Sequence, residues 1–491
     1  MGRRGLVVSL APVTVAVVAL VVTGAGAWIP GLWYDEFVTM TSGQRSWPSL
    51  WAMLGHVDAV HGVYYATVKA WGMLFGFSPL AIRFPSVLAV ALTALLLVRM
   101  GQQLWGLVPG VTAGLVYVLI PRTLWMGPHA RSYAIAAFAI TLAAFLLVRA
   151  LTKDRSRDWL LFGLGWGLAI STFIYNALLL PVFLVVGMLG REWQKPPPRL
   201  LLSLGGGLIG AAPVLVVAIS QRGQIGWIKL LTVRRALSTP YYMFLDGTDT
   251  LVGVGGWGAL IGLALLLTIA SVVRPAQQPT RSLDLRAAGV LTLGWLTVPP
   301  LTLVAVGFVL PLYYDHYVAI STPAVALLFA AAIARAGSRV WVACVTVALA
   351  AALAWQPWAD FRQPNSRTNV LDVVAAVGRV AEAGDHIWFA DGADWSTRQL
   401  RYGYPSEFAR YHDLTLDRDF EEVPDFFGTS LPLPVVEQRL RSVDRVVMIV
   451  NQPEQPQPYV ETASRMLDEA GLERSAEEVL PGWSVALYRR G

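Results

Sequence analysis

The sequence predicts a polytopic α-helical membrane protein with a small C-terminal extracytoplasmic α/β domain. Hydrophobic residues make up 55% of the chain, charged residues only 14%, and the mean hydropathy is +0.54. A soluble domain carries roughly a quarter charged residues. About eleven apolar stretches approach spanning length. From about Pro357 onward the chain is instead rich in Asp, Glu and Arg and has no spanning run.

The N-terminus has two interpretations. Arg3-Arg4, the apolar run Leu6 to Val22 and the small residues Ala25-Gly26-Ala27 resemble a cleavable secretory signal. The run is long for such a signal, and the small residues extend it to spanning length. We therefore expect a retained first helix. In either case the residues that follow lie outside the cytoplasm.

Alternate loops differ in positive charge, which predicts the topology. The apolar stretches fall near residues 6–28, 81–100, 106–122, 131–150, 158–174, 176–190, 200–220, 251–273, 287–310, 317–335 and 338–355. With the N-terminus inside, the inner loops contain most of the loop Lys and Arg residues, namely Lys153, Arg155, Arg157, Arg191, Lys195, Arg199, Arg274, Arg281, Arg286, Arg335 and Arg339. The exception is the outer connection 221–250. The prediction is a multi-pass cell-membrane protein with a cytoplasmic N-terminus and an extracytoplasmic C-terminal domain.

We expect a transmembrane domain over 1–356, with a long first outer loop at 29–80, and an α/β domain over 357–491. In that domain three runs read as strands and one as a helix, at 386–390, 445–450, 483–488 and 461–470. No glycine-rich phosphate loop is present, so no nucleotide cofactor is expected. Basic residues lie in short clusters between apolar runs, which argues against a nucleic-acid partner. The single Cys344 excludes a disulfide framework.

An adjacent acid pair, Asp35 and Glu36, follows the first apolar stretch. Such a pair is costly in lipid and unnecessary for anchoring, so it indicates chemistry at the membrane surface; the alternative is a solvated loop. Farther along this loop lie His56, Asp58 and His61, then Tyr64, Tyr65 and Lys69. Glu36, Asp58 and His61 are candidate ligands for a divalent metal cation. The alternative is an interfacial amphipathic helix.

Two further polar groups fall at outer helix ends. His129, Arg131 and Tyr133 lie where the fourth stretch begins, and Arg131 suits a phosphate contact because guanidinium grips two oxygens. The alternative is an arginine that snorkels to the headgroups. The other group combines basic residues that violate the inside-positive trend with a tyrosine-rich segment, and consists of Lys229, Arg234, Arg235, Tyr313, Tyr314, Asp315, His316 and Tyr317. An anionic ligand on the outer face explains them, as do ordinary external basic residues.

Together these groups provide a carboxylate base, an anion-binding set and an optional metal at the outer leaflet. A lipid-phosphate sugar donor fits this set. Its phosphate contacts Arg and Lys, its lipid tail lies between helices, and the carboxylate deprotonates the acceptor hydroxyl as the lipid phosphate leaves.

The chain contains four notable motifs: Tyr34-Asp35-Glu36, the run from Asp58 to Tyr65, the run from Leu80 to Ser86, and Ala130-Arg131-Ser132-Tyr133. They resemble motifs of the GT-C glycosyltransferases that use polyprenyl-phosphate sugars, most of all the protein O-mannosyltransferase and aminoarabinose-transferase branch. The resemblance covers about residues 6–335 and implies that Asp35 is the catalytic base. The chain departs from the family at His61, which is shifted by one position, and at His129, where the family commonly has an acid.

The sequence therefore predicts an inverting membrane glycosyltransferase that uses a polyprenyl-phosphate sugar donor. The expected sugar is mannose, and the acceptor is a hydroxyl on a protein, lipid or polysaccharide. Asp35 is the base, assisted by Glu36. The expected donor-binding residues are Arg131, Arg83, Lys229, Arg235, Tyr64, Tyr65, Tyr133 and His316. The alternatives are a lipid-linked saccharide flippase and a non-catalytic cell-wall scaffold. The polar groups lie at outer helix ends and not along the spans, which argues against transport.

Overall fold

Each of the eleven predicted apolar stretches contains a helix within the described residues. The computed structural model describes residues 3–189, 197–273, 285–390, 396–451 and 458–491. Its first sixteen α-helices are α1 Arg3–Gly24, α2 Tyr34–Gln44, α3 Trp47–Leu54, α4 Gly62–Phe75, α5 Pro79–Leu104, α6 Leu107–Leu119, α7 Pro121–Met126, α8 Tyr133–Lys153, α9 Ser156–Thr172, α10 Leu180–Leu189, α11 Pro198–Ser220, α12 Val233–Phe244, α13 Leu251–Val273, α14 Leu285–Gly307, α15 Thr322–Arg335 and α16 Val340–Asp360.

The C-terminal part of the chain alternates helices and strands. Its elements are α17 Val370–Val380, β1 His386–Ala390, α18 Gln399–Gly403, α19 Pro405–Phe408, β2 His412–Asp413, β3 Leu416–Arg418, β4 Thr429–Ser430, α20 Leu433–Leu440, β5 Arg445–Asn451, α21 Pro458–Glu469, β6 Leu472–Leu480 and β7 Trp483–Arg490. Short 3₁₀ helices occupy Ala59–His61, Ile174–Leu179, Arg222–Ile225, Asp315–Ser321 and Phe420–Glu422.

Eight helices of the described residues are long and apolar enough to cross a membrane, so the chain is a multi-pass membrane protein. The other three predicted stretches are also helical but shorter, at Leu107–Leu119, Ser156–Thr172 and Ile174–Leu189. The predicted fold class is confirmed. Four of the inner-loop basic residues used for topology, Arg191, Lys195, Arg274 and Arg281, lie outside the described residues.

The chain divides into two compact units. The first, called the membrane unit, comprises Met1–Ala27, Asp58–Tyr64 and Arg83–Phe361. The second, called the C-terminal unit, comprises Trp28–Val57, Tyr65–Ile82 and Arg362–Gly491. Much of the predicted first outer loop therefore belongs to the same unit as the α/β elements.

Close helix contacts in the membrane unit depend on small residues. A Cβ atom at Gly167 of α9 would lie 2.9 Å from the Gly207 carbonyl of α11. One turn earlier, Gly163 meets Ser203 in the same way, so the two helices run side by side in parallel. Small side chains let membrane helices approach closely and gain packing energy where lipid offers no hydrophobic driving force.

The C-terminal unit contains a five-stranded sheet with strand order β2-β1-β5-β7-β6. β1 pairs in parallel with β2 and β5, whereas β7 is antiparallel to β5 and β6. The four residues of β1 after His386 and the central residues of β5 are buried, as their continuous apolar runs predict. The three predicted strands and the helix before Gly471 are confirmed.

The segment that carries the acid pair is a helix, not a loop. α2 begins at Tyr34, which places Asp35 and Glu36 in its first turn. Acids are favoured there because the helix dipole is positive at its N-terminus. Within the C-terminal unit, α2 packs against α18: the rings of Phe37 and Tyr404 lie 6.0 Å apart, edge to face.

Candidate functional site

Asp58 and Arg131, which belong to two different predicted polar groups, meet in the membrane unit. Arg131 Nη2 lies 3.4 Å from Asp58 Oδ2, and the Arg131 side chain is only 9% exposed. Asp58 adopts a left-handed backbone conformation, with φ at +57°. The backbone amides of Asp58 and Ala59 donate to the side-chain carbonyls of Gln224 and Gln221, which hold the turn in place. Non-glycine residues in this conformation concentrate at functional sites.

His61 is buried directly beside this ion pair. Its Nδ1 shares a 2.9 Å hydrogen bond with the Ser132 hydroxyl. Burial, reinforced by the Arg131 charge, lowers the pKa of His61 to about 3. His61 is therefore a neutral imidazole at physiological pH. Tyr64 is also buried, and its hydroxyl lies 3.0 Å from that of Ser86.

The predicted group of His129, Arg131 and Tyr133 and the predicted group that contains His316 meet at Trp125, a residue that sequence reasoning missed. The Trp125 ring of α7 lies 4.1 Å from the His129 ring, 5.5 Å from Tyr133 and 4.3 Å from His316. His316 belongs to the 3₁₀ turn Asp315–Ser321, which Trp295 fixes by donating from Nε1 to the Ile320 carbonyl. We call Trp125, His129, Tyr133 and His316 the aromatic cluster.

Arg122 is a second residue that sequence reasoning missed. It is fully buried at the start of α7, and its guanidinium lies 4.8 Å from the Trp125 ring centre. Nη2 pairs with Asp246 at 3.0 Å, and Nε and Nη2 donate to the carbonyls of Met243 and Tyr242 at the end of α12. The signal in the sequence is an arginine that interrupts an apolar run directly after Pro121.

The other end of α12 carries a second ion pair. Arg235 pairs with Asp315, whose other carboxylate oxygen accepts a 3.0 Å hydrogen bond from Tyr313. The side chain of Thr232 accepts from the Arg235 amide and caps the helix. Arg122 and Arg235 therefore tie the two ends of α12 to residues beside the aromatic cluster.

Two other predicted donor ligands, Arg83 and Lys229, have different environments. Arg83 is fully buried, and its Nη1 donates to the carbonyl of Ala27 at 2.7 Å, so it secures the chain just after α1. Lys229 is exposed. Neither observation assigns a ligand to these side chains.

The acid pair and Tyr65 belong to the C-terminal unit. Asp35 is half-buried and Glu36 is fully buried. Glu36 Oε1 lies 3.4 Å from Arg367 Nη1, a buried ion pair that sequence reasoning missed. Arg367 lies 331 positions away, so no local pattern pointed to it.

The predicted metal ligands are not assembled into one cluster. Within the described ranges, no group of three or more His, Cys, Asp or Glu residues is placed to hold a metal ion. Glu36 pairs with Arg367 and Asp58 with Arg131, while His61 contacts Ser132. The charges expected to attract a cation are thus compensated by arginines. A metal requirement stays a prediction.

The side chains gathered in the membrane unit are of the types that can bind an anion. A guanidinium group can grip two phosphate oxygens at once, and aromatic rings attract cations. Among the described residues, Arg122 Nη1 and His316 Nδ1 are buried and have no hydrogen-bond partner. Buried polar atoms of this kind call for an explanation, and a ligand oxygen is one.

Comparison with known proteins agrees with this description. Residues 63–217 match the family described as dolichyl-phosphate-mannose-protein mannosyltransferase. The chain is 29% identical over 159 residues to undecaprenyl phosphate-alpha-4-amino-4-deoxy-L-arabinose arabinosyl transferase 2 of Proteus mirabilis (strain HI4320), a match that covers 30% of this chain and 28% of that protein. It is 31% identical over 163 residues to the corresponding transferase of Aeromonas salmonicida (strain A449), covering 31% and 29%. The matched region thus spans less than a third of these relatives.

The fold comparison covers the whole chain. The structure superposes on that of ArnT from Cupriavidus metallidurans bound to undecaprenyl phosphate, with a TM-score of 0.60 and 11% identity, covering 100% of this chain and 99% of that chain. The apo structure of the same protein gives a TM-score of 0.60 at 12% identity. The predicted GT-C fold is therefore confirmed.

Proposed function

We propose that the protein is a membrane glycosyltransferase that takes a sugar from a polyprenyl-phosphate donor. The observation that carries this proposal is the arrangement of arginines near the aromatic cluster: Arg122 contacts the Trp125 ring, and Arg235 pairs with Asp315, next to His316. Arg131, two residues before Tyr133, is buried and pairs with Asp58. A guanidinium group can grip two phosphate oxygens at once. The family match and the shared fold support a donor of this class.

The reaction needs few protein groups. A carboxylate removes the proton of an acceptor hydroxyl, the hydroxyl oxygen forms a bond to the anomeric carbon, and the bond from that carbon to the phosphate oxygen breaks. Polyprenyl phosphate leaves, and the anomeric configuration inverts. Charge develops on the departing phosphate, so arginines that contact it stabilise the transition state.

Roles are assigned to each unit separately. In the C-terminal unit, Asp35 is the proposed base, since it is half-buried in the first turn of α2 beside the paired Glu36. In the membrane unit, Arg131 is the first donor-phosphate ligand, with Arg235, Tyr133 and His316 in support. Four further residues stay predicted donor ligands, namely Lys229, Arg83, Tyr64 and Tyr65. We propose that both roles act on the extracytoplasmic side of the cell membrane, with the N-terminus in the cytoplasm.

The sugar and the acceptor are open to direct assay. The sequence predicted mannose, and the description of the matched family also names mannose. The two matched relatives are instead named for an aminoarabinose. Two donors should be tested with the purified protein in proteoliposomes, polyprenyl-phosphate mannose and polyprenyl-phosphate aminoarabinose. The protein should release polyprenyl phosphate from one of them when envelope protein, lipid or polysaccharide is supplied as acceptor. A flippase would move intact labelled donor across the bilayer without cleaving it, and this outcome would replace the proposal.

The metal requirement has its own test. Dialysis against EDTA followed by addition of Mg²⁺ or Mn²⁺ measures whether a divalent cation assists the departing phosphate. Recovery of activity by the added cation supports the sequence prediction. Full activity after chelation contradicts it.

A further inference from the structure

The helix that carries the acid pair is held by residues from the far end of the chain. Gly31 donates from its amide to the Pro364 carbonyl at 2.9 Å, and the Leu32 amide donates to the Tyr404 hydroxyl at 3.0 Å. The Phe37 ring packs on Gly403 so closely that an added Cβ there would lie 2.1 Å from Phe37 Cε1. All of these contacts lie within the C-terminal unit.

The other end of α2 is held in the same way. Arg45, fully buried, donates to the carbonyls of Val423 and Asp425. The Ser49 hydroxyl donates to the Glu421 carbonyl at 2.8 Å. The first turn of α2, with its two carboxylates, is therefore positioned by residues after 361.

Arg367, which also lies after residue 361, forms an ion pair with Glu36 of the acid pair. The Arg367 and Glu36 side chains are 6% and 0% exposed, and Nη1 lies 3.4 Å from Oε1. A buried carboxylate is stable as an anion only with such a partner. Because Glu36 adjoins Asp35, loss of the Arg367 charge would disfavour ionisation of both carboxylates.

We propose that Arg367 is a positioning residue for the transfer reaction: it fixes Glu36 as an anion and thereby sets the charge and geometry of the first turn in which Asp35 acts. This inference rests on the proposed function for its kinetic consequence. It assigns the C-terminal unit a direct part in the reaction.

The kinetic test compares Arg367→Gln and Arg367→Lys with the unaltered protein, using whichever polyprenyl-phosphate sugar it cleaves. Removing the cation should shift the acid limb of the pH–rate profile upward by about one pH unit, since a nearby opposite charge favours carboxylate ionisation by about one to three pH units. At pH values below the limb kcat should fall by up to tenfold, the most that a one-unit shift produces, with little change in KM for the donor. Arg367→Lys retains the charge and should return the acid limb to its original pH.

A matched control separates this effect from loss of a buried ion pair. Arg398 pairs with Asp413 at 2.8 Å in the same unit, with both side chains nearly inaccessible. Arg398→Gln should lower thermal stability as Arg367→Gln does, and leave the acid limb in place. An Arg367→Gln profile that coincides with that of Arg398→Gln after correction for folded protein overturns the inference.

A second measurement needs no substrate. Infrared pH titration of the unaltered protein minus Glu36→Gln isolates the Glu36 carboxylate band, which should be present at neutral pH. In Arg367→Gln that band should convert to the protonated carboxyl band at a higher pH than in the unaltered protein, and in Arg367→Lys at the original pH. An unchanged titration of the band in Arg367→Gln overturns the inference even if no donor is cleaved. Absence of donor cleavage by the unaltered protein refutes the proposed function alone. If Arg367→Gln does not fold, Arg367→Lys decides: a carboxylate band like that of the unaltered protein is expected, and its loss overturns the inference.

Discussion

Arg131 and Asp58 form an ion pair of 3.4 Å that joins two segments 73 positions apart. Asp58 lies in a left-handed turn before α4, and Arg131 lies two residues before α8. Both side chains were singled out from the sequence, for separate reasons and in separate groups. Their contact, with His61 buried beside them, makes this pair the centre of the candidate site in the membrane unit.

Replacement of Arg131 should impair use of the donor. Arg131→Gln removes a charge-assisted contact worth about 1.5–3 kcal/mol, so kcat/KM for the polyprenyl-phosphate donor should fall about 10- to 100-fold. Arg131→Lys should be intermediate because a point charge lacks the two-pronged grip. Initial rates at several donor concentrations provide the measurement. Arg222→Gln, at an exposed arginine, is the control. Equal rates for Arg131→Gln and the control would exclude the assigned role.

His61 should make the fold acid-sensitive. Its pKa is lowered to about 3 by burial in the folded protein, against about 6.5 when unfolded. Between these values the unfolded chain binds the extra proton, so the free energy of unfolding declines as pH falls from about 6.5 toward 3. His61→Gln should lose part of this decline. Melting temperatures in detergent between pH 7 and pH 4 should fall by several degrees less for the variant, and parallel curves would contradict the prediction.

Arg122 should be a stability residue of the membrane unit. Arg122→Gln leaves the partly exposed Asp246 and two α12 carbonyls without their donor, and a buried acceptor left without its partner costs about 1–3 kcal/mol. Asp246→Asn should cost less, because Asp246 is 31% exposed. Thermal unfolding of both single variants and the double variant measures the coupling. Strictly additive effects would show that the pair contributes nothing.

Gly403 should tolerate no side chain. Gly403→Ala places a Cβ within 2.4 Å of two Phe37 ring atoms, so α2 or α18 must shift. A destabilisation of about 1–3 kcal/mol is expected for overpacking. Gly378→Ala in α17, where the nearest atom is the flexible Arg410 Nη2 at 3.8 Å, is the control and should be neutral or stabilising. Equal melting temperatures for the two variants would contradict the tight packing.

Local patterns determined what could be predicted. Continuous apolar runs revealed the spanning helices, and the buried strand runs at 386–390 and 445–450 revealed the sheet. The helical start at Tyr34 was within reach as well, since two acids in a first turn are a helix signal. The prediction instead placed this segment in the long outer loop 29–80.

Partners far apart in the chain could not be predicted. Arg367 reaches Glu36 across 331 positions and Arg122 reaches Asp246 across 124, and neither pairing leaves a periodic trace. The membership of residues 28–57 in the C-terminal unit depends on similar long-range contacts. Glu36 and Asp58, two of the predicted metal ligands, likewise pair with arginines distant in the chain, which no local pattern indicated.

The most direct measurement is sugar transfer by Asp35→Asn in proteoliposomes that contain a radiolabelled polyprenyl-phosphate sugar. The asparagine keeps the shape of the side chain and cannot accept the acceptor proton. General-base catalysis contributes about 100- to 10,000-fold, so transfer should fall by at least the lower figure while expression and melting temperature stay unchanged. Transfer at the rate of the unaltered protein would contradict the central claim that Asp35 is the base of a polyprenyl-phosphate-dependent glycosyltransferase.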